Sequence, residues 1–145
     1  MSGPIVREIR IPNDTKFLAD VRAFLQTFLQ DIPRPFKEPM SVVLAVDEAV
    51  TNVIEHGYDN GHDGDIRVEC RGDAEQIEVL VEDWGRTFDP NAIPDPDIQE
   101  HVRQGRRKGL GIYLMRQIMD EINYEFRPGE PNRLRLVKKV PAAKH

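Results

Sequence analysis

An α+β fold is predicted, a two-layer α/β sandwich whose mixed, mostly antiparallel sheet is covered on one face by helices. Three observations carry that expectation. Phe17 to Leu29 and Val42 to Ile54 repeat apolar residues at steps of three and four, the spacing of one buried helical face. Ile66 to Arg71 and Ile77 to Glu82 alternate apolar and polar residues, as strands with one wet face do. The segments then follow as strand, helix, helix, hairpin, long loop, helix and two strands, without an internal repeat. A chain of 145 residues is long enough for one good core and too short for two, so residues 1–145 are expected to be a single domain.

Ile5 to Ile11 alternates Ile5, Arg7 and Ile9 with Glu8 and Arg10, and Pro12 ends this first strand. Asn13 or Asp14 can cap the helix that follows. Its stripe is Phe17, Leu18, Val21, Phe24, Leu25, Phe28 and Leu29, which reads as core packing. Arg22 on its exposed side is free to meet a partner. Pro33, Pro35 and Pro39 make Asp31 to Pro39 a loop. Val42, Val43, Val46, Ala49, Val50, Val53 and Ile54 define the second helix, and Gly57 stops it.

Asp59 to Asp65 is turn chemistry throughout. The Ile66 and Ile77 segments then form an antiparallel hairpin about Gly72-Asp73, in which Cys70 is a small buried apolar residue. Pro90 to Arg107 has three prolines and no period, which suits a functional lid. A third helix carries Ile112, Tyr113, Met115, Ile118, Met119 and Ile122. Asn123 to Arg127 and Leu134 to Val140 are the closing strand pair, and the tail from Pro141 frays.

Composition narrows the function. The net charge of −5 argues against direct nucleic-acid binding, which draws its free energy from neutralised phosphates. No apolar run approaches the roughly 20 residues that cross a bilayer, so no membrane partner is expected. MSGPIVREIRIPNDTK lacks a charged start followed by an apolar region, so secretion is not indicated and a cytoplasmic location is expected. One cysteine, Cys70, excludes an internal disulfide framework and a multi-cysteine zinc site.

Three stretches carry chemistry. Glu48, Asn52 and His56 stand at i, i+4 and i+8 of the second helix, placing a carboxylate, a carboxamide and an imidazole in one row. A carboxylate can take a proton, and an amide oxygen is a hard ligand of the kind Mg²⁺ accepts. Taken alone, the row also fits a solvated helix face. The second stretch is Asp83-Trp84-Gly85-Arg86-Thr87-Phe88-Asp89 at the end of a strand, where Asp83 and Gly85 alone could be a turn. The third is Gly109-Leu110-Gly111 opening a helix after Arg106, Arg107 and Lys108, a place where backbone amides can meet a phosphate.

In order and spacing these three stretches resemble the GHKL-type ATP-binding fold of histidine kinases, gyrase, Hsp90 and MutL, over essentially the whole chain. Within it the sequence resembles a bacterial anti-sigma factor serine/threonine kinase of the partner-switching type. DEAVTNVIEHGY is similar to the N box, which implies Glu48 as general base, Asn52 as Mg²⁺ ligand and His56 bordering the nucleotide. DWGRTFD is similar to the first glycine box, in which Phe88 also lies. It implies that Asp83 accepts the adenine amino group and that Gly85 lets the base seat on the sheet. RKGLGIYLM is similar to the second glycine box, which implies that Gly109, Leu110 and Gly111 offer amides to the phosphates, with Arg107 and Lys108 at the lid's hinge.

The resemblance implies ATP and Mg²⁺ as cofactors. It also implies a STAS-domain anti-sigma factor antagonist as the phosphorylated partner and a sigma factor as the sequestered one. The stand-alone kinase is expected rather than a histidine kinase, because no long helix pair with a phosphoacceptor histidine precedes the fold. Relatives commonly form homodimers, and the apolar first helix does not decide that state here. The alternative is a nucleotide-gated protein-binding switch without phosphoryl transfer. Glu48 favours the kinase, because a pure binder needs no base. One departure stands out: Asn132-Arg133 occupies the place where many such proteins carry a glycine and a threonine that helps hold an adenine-binding water. His62 and its acidic loop match nothing in the family pattern.

Overall fold

The computed structural model describes residues 3–33, 37–57, 64–84, 110–125 and 129–140, with the backbone alone at 56–57, 110–112 and 114. Strand β1 (Ile5–Pro12) leads through a 3₁₀ turn (Thr15–Phe17) into α1 (Leu18–Asp31). Asp14 caps that turn, its side chain accepting from the Lys16 N–H at 3.0 Å. Helix α2 (Pro39–Asn52) follows, then a π-helical turn (Val53–Gly57), β2 (Asp65–Gly72), β3 (Gln76–Asp83), α3 (Leu110–Ile118), β4 (Glu121–Glu125) and β5 (Asn132–Lys139).

The strands form one sheet in the order β1-β2-β3-β5-β4. Every pairing is antiparallel, so the expected mixed sheet is corrected to a wholly antiparallel one among the described residues. The α+β sandwich itself stands as read. Strand directions depend on the path of the connections, which local patterning does not record.

Period-two alternation sorts the sheet into two faces. Ile66, Val68 and Cys70 of β2, Ile77, Val79 and Val81 of β3, and Leu134 and Leu136 of β5 point inward and are buried. Against them lie Val21, Leu25, Phe28 and Leu29 of α1, Val42, Val43, Val46, Ala49 and Val50 of α2, and Met115 of α3. Helix α2 packs on both α1 and α3, which makes it the central rod of the helical layer. Burial and the nearby Glu69 charge push the Cys70 thiol up to about 12, so it is an inert core residue. The hairpin turn is tied by Asp73, which accepts from the backbone N–H groups of Glu75 and Gln76 at 2.7 and 2.9 Å.

The outer face carries charge instead. Arg67 on β2 bonds to Glu8, Glu69 and Glu82, and Arg133 on β5 reaches Glu82 at 3.1 Å. Arg135 pairs with Glu78 at 2.9 Å. All but the Arg67–Glu69 pair, which lies within β2, join neighbouring strands, the unit in which an open sheet face is stabilised.

Three local expectations are corrected. Pro39 belongs to α2 as its first residue rather than to the loop, since that position has no intrahelical donor to lose. Ile122 lies in β4, not in the third helix, and that strand begins at Glu121 rather than Asn123; the backbone N–H of Asp120 bonds to the Val137 carbonyl at 2.8 Å and starts the pairing. Arg22 is engaged within the chain, its Nη1 lying 3.2 Å from Asp47 Oδ1 on α2.

Candidate nucleotide site

The last two turns of α2 carry the first part of the site. The apolar stripe of that helix is fixed in the core by Val42, Val46, Ala49 and Val50, so its rotation is set and Glu48 and Asn52 fall on a half-buried flank. Glu48 has its carboxyl raised above the ordinary value, first by burial and then by the neighbouring charges of Asp47 and Glu55. A carboxylate whose acid form is raised toward the working pH is a better proton acceptor. Asp47, the adjacent acid, is paired with Arg22 and so is distinguished from Glu48 by its partner.

Asn52 is the last residue of α2, and the helix widens into the π-helical turn directly after it. Such turns interrupt the regular ladder and recur at functional sites. Its Nδ2 atom is buried and finds no hydrogen-bond partner among the described residues. A buried amide nitrogen without an acceptor costs free energy. That donor fits an acceptor supplied by a ligand at Asn52, such as a metal-bound water or a phosphate oxygen. His56 continues in the π-helical turn, where its backbone alone is described.

The second part lies on the sheet. Asp83 ends β3 and Asn132 begins β5, and the two are register partners. Their exposures are 6% and 3%. The Asn132 Nδ2 donates to Asp83 Oδ1 at 3.0 Å. Trp84 follows with half its surface exposed, and the Arg10 guanidinium lies 5.9 Å from its ring centroid. Sequence reading singled out Asp83 as the base acceptor and marked Asn132 only as a departure; the contact between them is new.

The third part is the start of α3. Leu110 and Gly111 are its first two residues, so the third glycine-bearing stretch does open a helix, as expected. That helix packs on α2, so it lies in the same helical layer as Glu48 and Asn52. Gly85, Phe88, Arg107, Lys108 and Gly109 lie outside the described residues, as do the whole of the expected lid and His62.

Among the described residues no helix is long and apolar enough to cross a membrane. A family profile described as the histidine kinase-like ATPase domain matches residues 11–138. No curated protein matches the chain.

Proposed function

We propose that this chain, which belongs to the histidine kinase-like ATPase domain family, is an ATP-dependent serine/threonine-protein kinase that acts as an anti-sigma factor. The observation that carries the reading is the pairing, one turn apart on α2, of a raised carboxyl at Glu48 with a buried Asn52 Nδ2 that has no partner among the described residues. A nucleotide-holding domain needs the carboxamide. Only transfer needs the base.

In this reading Asp83 accepts the amino group of the base, and the amides at Leu110 and Gly111 face the phosphates. Asn52 holds Mg²⁺ through its side-chain oxygen. When bound, that ion supplies neutralisation of phosphate charge. Glu48 takes the proton from a serine or threonine hydroxyl of the partner protein as that oxygen bonds to the γ-phosphorus. The bond from the γ-phosphorus to the β,γ-bridging oxygen breaks, and ADP leaves with the electron pair.

The hydroxyl is assigned to a STAS-domain anti-sigma factor antagonist, on the resemblance of the three motifs to partner-switching kinases. The same resemblance assigns a sigma factor as the second partner. Phosphorylation adds nearly two negative charges to the antagonist and breaks its complex with the kinase, which frees the surface for the sigma factor.

The test is incubation of the full chain with labelled ATP, Mg²⁺ and STAS-domain proteins of the same genome. Transfer to a serine or threonine of one of them, lost in Glu48→Gln, supports the kinase. ATP binding without transfer to any of them moves the reading to the nucleotide-gated switch.

A further inference from the structure

Among the described residues, the buried side chains on the helix-facing side of the sheet are apolar except at one place. There Asp83 and Asn132 meet, with 6% and 3% of their surfaces exposed. Enclosing a carboxylate and a carboxamide in an apolar layer costs free energy even when they bond to each other, and an apolar pair of similar volume commonly serves stability as well or better. The pair is therefore explained by what it presents rather than by what it holds together. Of the two residues that open β5, only Asn132 can serve this side. Arg133 points to the opposite face, where its guanidinium reaches Glu82 at 3.1 Å.

The contact has a direction. Asn132 Nδ2 is the donor and Asp83 Oδ1 the acceptor, at 3.0 Å across strands whose register fixes both backbones. A carboxylate held in this way cannot turn freely about its last torsion, so the remaining lone pairs of the group keep one direction. An amino group on the edge of a base is matched by those lone pairs. A carbonyl oxygen at the same position meets them with lone pairs of its own.

We propose that Asn132 is the specificity-determining positioning residue of the nucleotide site, fixing the Asp83 carboxylate so that a 6-aminopurine nucleotide is selected over a 6-oxopurine one. This deepens the nucleotide-binding reading above and rests on it. Asn132 acts through Asp83 and need not touch the base.

The test compares binding of ATP and inosine triphosphate, each with Mg²⁺, to the full chain by titration calorimetry. The two ligands share sugar and phosphates and differ at the 6-position edge, so losses in the phosphate and metal contacts cancel in the ratio of affinities. The wild-type chain is expected to prefer ATP by about tenfold or more, as one charge-assisted hydrogen bond allows. Asn132→Leu and the less bulky Asn132→Ala both remove the donor, and either is expected to bring the ratio to within about threefold of unity. Asn132→Thr keeps a hydroxyl donor and is expected to restore part of the preference. A donor-less variant that binds ATP and keeps the full preference overturns the proposal, as does a wild-type chain that binds both triphosphates equally. A wild-type chain that binds neither overturns the nucleotide-binding reading itself, and the proposal with it.

Discussion

Asp47 and Glu48 are adjacent acids on α2 with different surroundings: Asp47 Oδ1 accepts from Arg22 Nη1 at 3.2 Å, while Glu48 is raised by burial and by the charge of Asp47 itself. Glu48→Gln is expected to lower phosphoryl transfer by at least about hundredfold, the usual scale for a lost general base. It should also stabilise the fold at neutral pH. A carboxyl raised in the folded state binds its proton more tightly there than in the unfolded chain, whose value is near 4.5. Stability from that group is present below the unfolded value and is lost as pH rises through the folded one. The variant's melting temperature should therefore exceed that of the wild type at pH 7, and the gap should close near pH 4, the unfolded carboxyl range. Equal melting temperatures at both pH values would show that the raised carboxyl carries no stability cost.

Asn52 predicts the opposite kind of separation. Its buried Nδ2 has no partner among the described residues, and an orphaned buried polar atom costs about 1–3 kcal/mol. Asn52→Leu should thus keep or raise the urea midpoint by removing that atom. It should also abolish Mg²⁺-dependent binding of ATP. In the wild type, ATP with Mg²⁺ should raise the melting temperature through binding to the folded state alone, and EDTA should remove most of the rise. A variant that keeps its EDTA-sensitive shift would refute the metal assignment.

The difference between what was readable and what was not follows interaction range. Ile66, Val68 and Cys70 announce their strand because alternation is dictated by the backbone itself, residue by residue. Glu48 and Asn52 announce their row for the same reason, since one helix carries both. Ile122 misleads because Met115, Ile118, Met119 and Ile122 keep the helical period, while pairing of Glu121–Glu125 with β5 overrides it. Asn132 gives no local sign of its partner at all. It meets Asp83 from 49 positions away, through a β3–β5 pairing that no periodicity encodes. Glu82 likewise reads as a wet-face residue, yet only 6% of it is exposed, with the guanidinium groups of Arg67 and Arg133 both bonded to its carboxylate.

Arg67 holds that arrangement together. It bonds to Glu8, Glu69 and Glu82, and its guanidinium is favoured in the charged form by all three. Pairs on an exposed sheet face contribute little singly. Glu82 is different, since its carboxylate is nearly sealed and loses one of its two arginines in Arg67→Met. That change should cost about 1–3 kcal/mol, below the full effect of breaking a buried pair because Arg133 remains. Arg67→Met with Glu82→Leu should recover part of the loss. Chemical denaturation of the two variants and of Glu82→Leu gives the coupling, and additive effects would show that Arg67 does not support Glu82.

Gly72 sets how closely the end of α1 approaches the sheet. A methyl group built there would stand 2.7 Å from Ile32 Cγ2 and 3.0 Å from Phe28 Cζ. Both neighbours are buried, Phe28 completely, so the ring has no open space to turn into. Gly72→Ala should therefore destabilise the fold by about 1–3 kcal/mol, the usual cost of overpacking, although alanine has the better backbone entropy in a strand. Ile32→Ala removes the atom at closest approach and is itself destabilising as a cavity. In the double variant the two errors fill each other, so its stability should exceed the sum expected from the single changes by about 1 kcal/mol or more. Strict additivity would mean that the strand shifts to accept the methyl, and that the α1–β2 spacing is not set at Gly72.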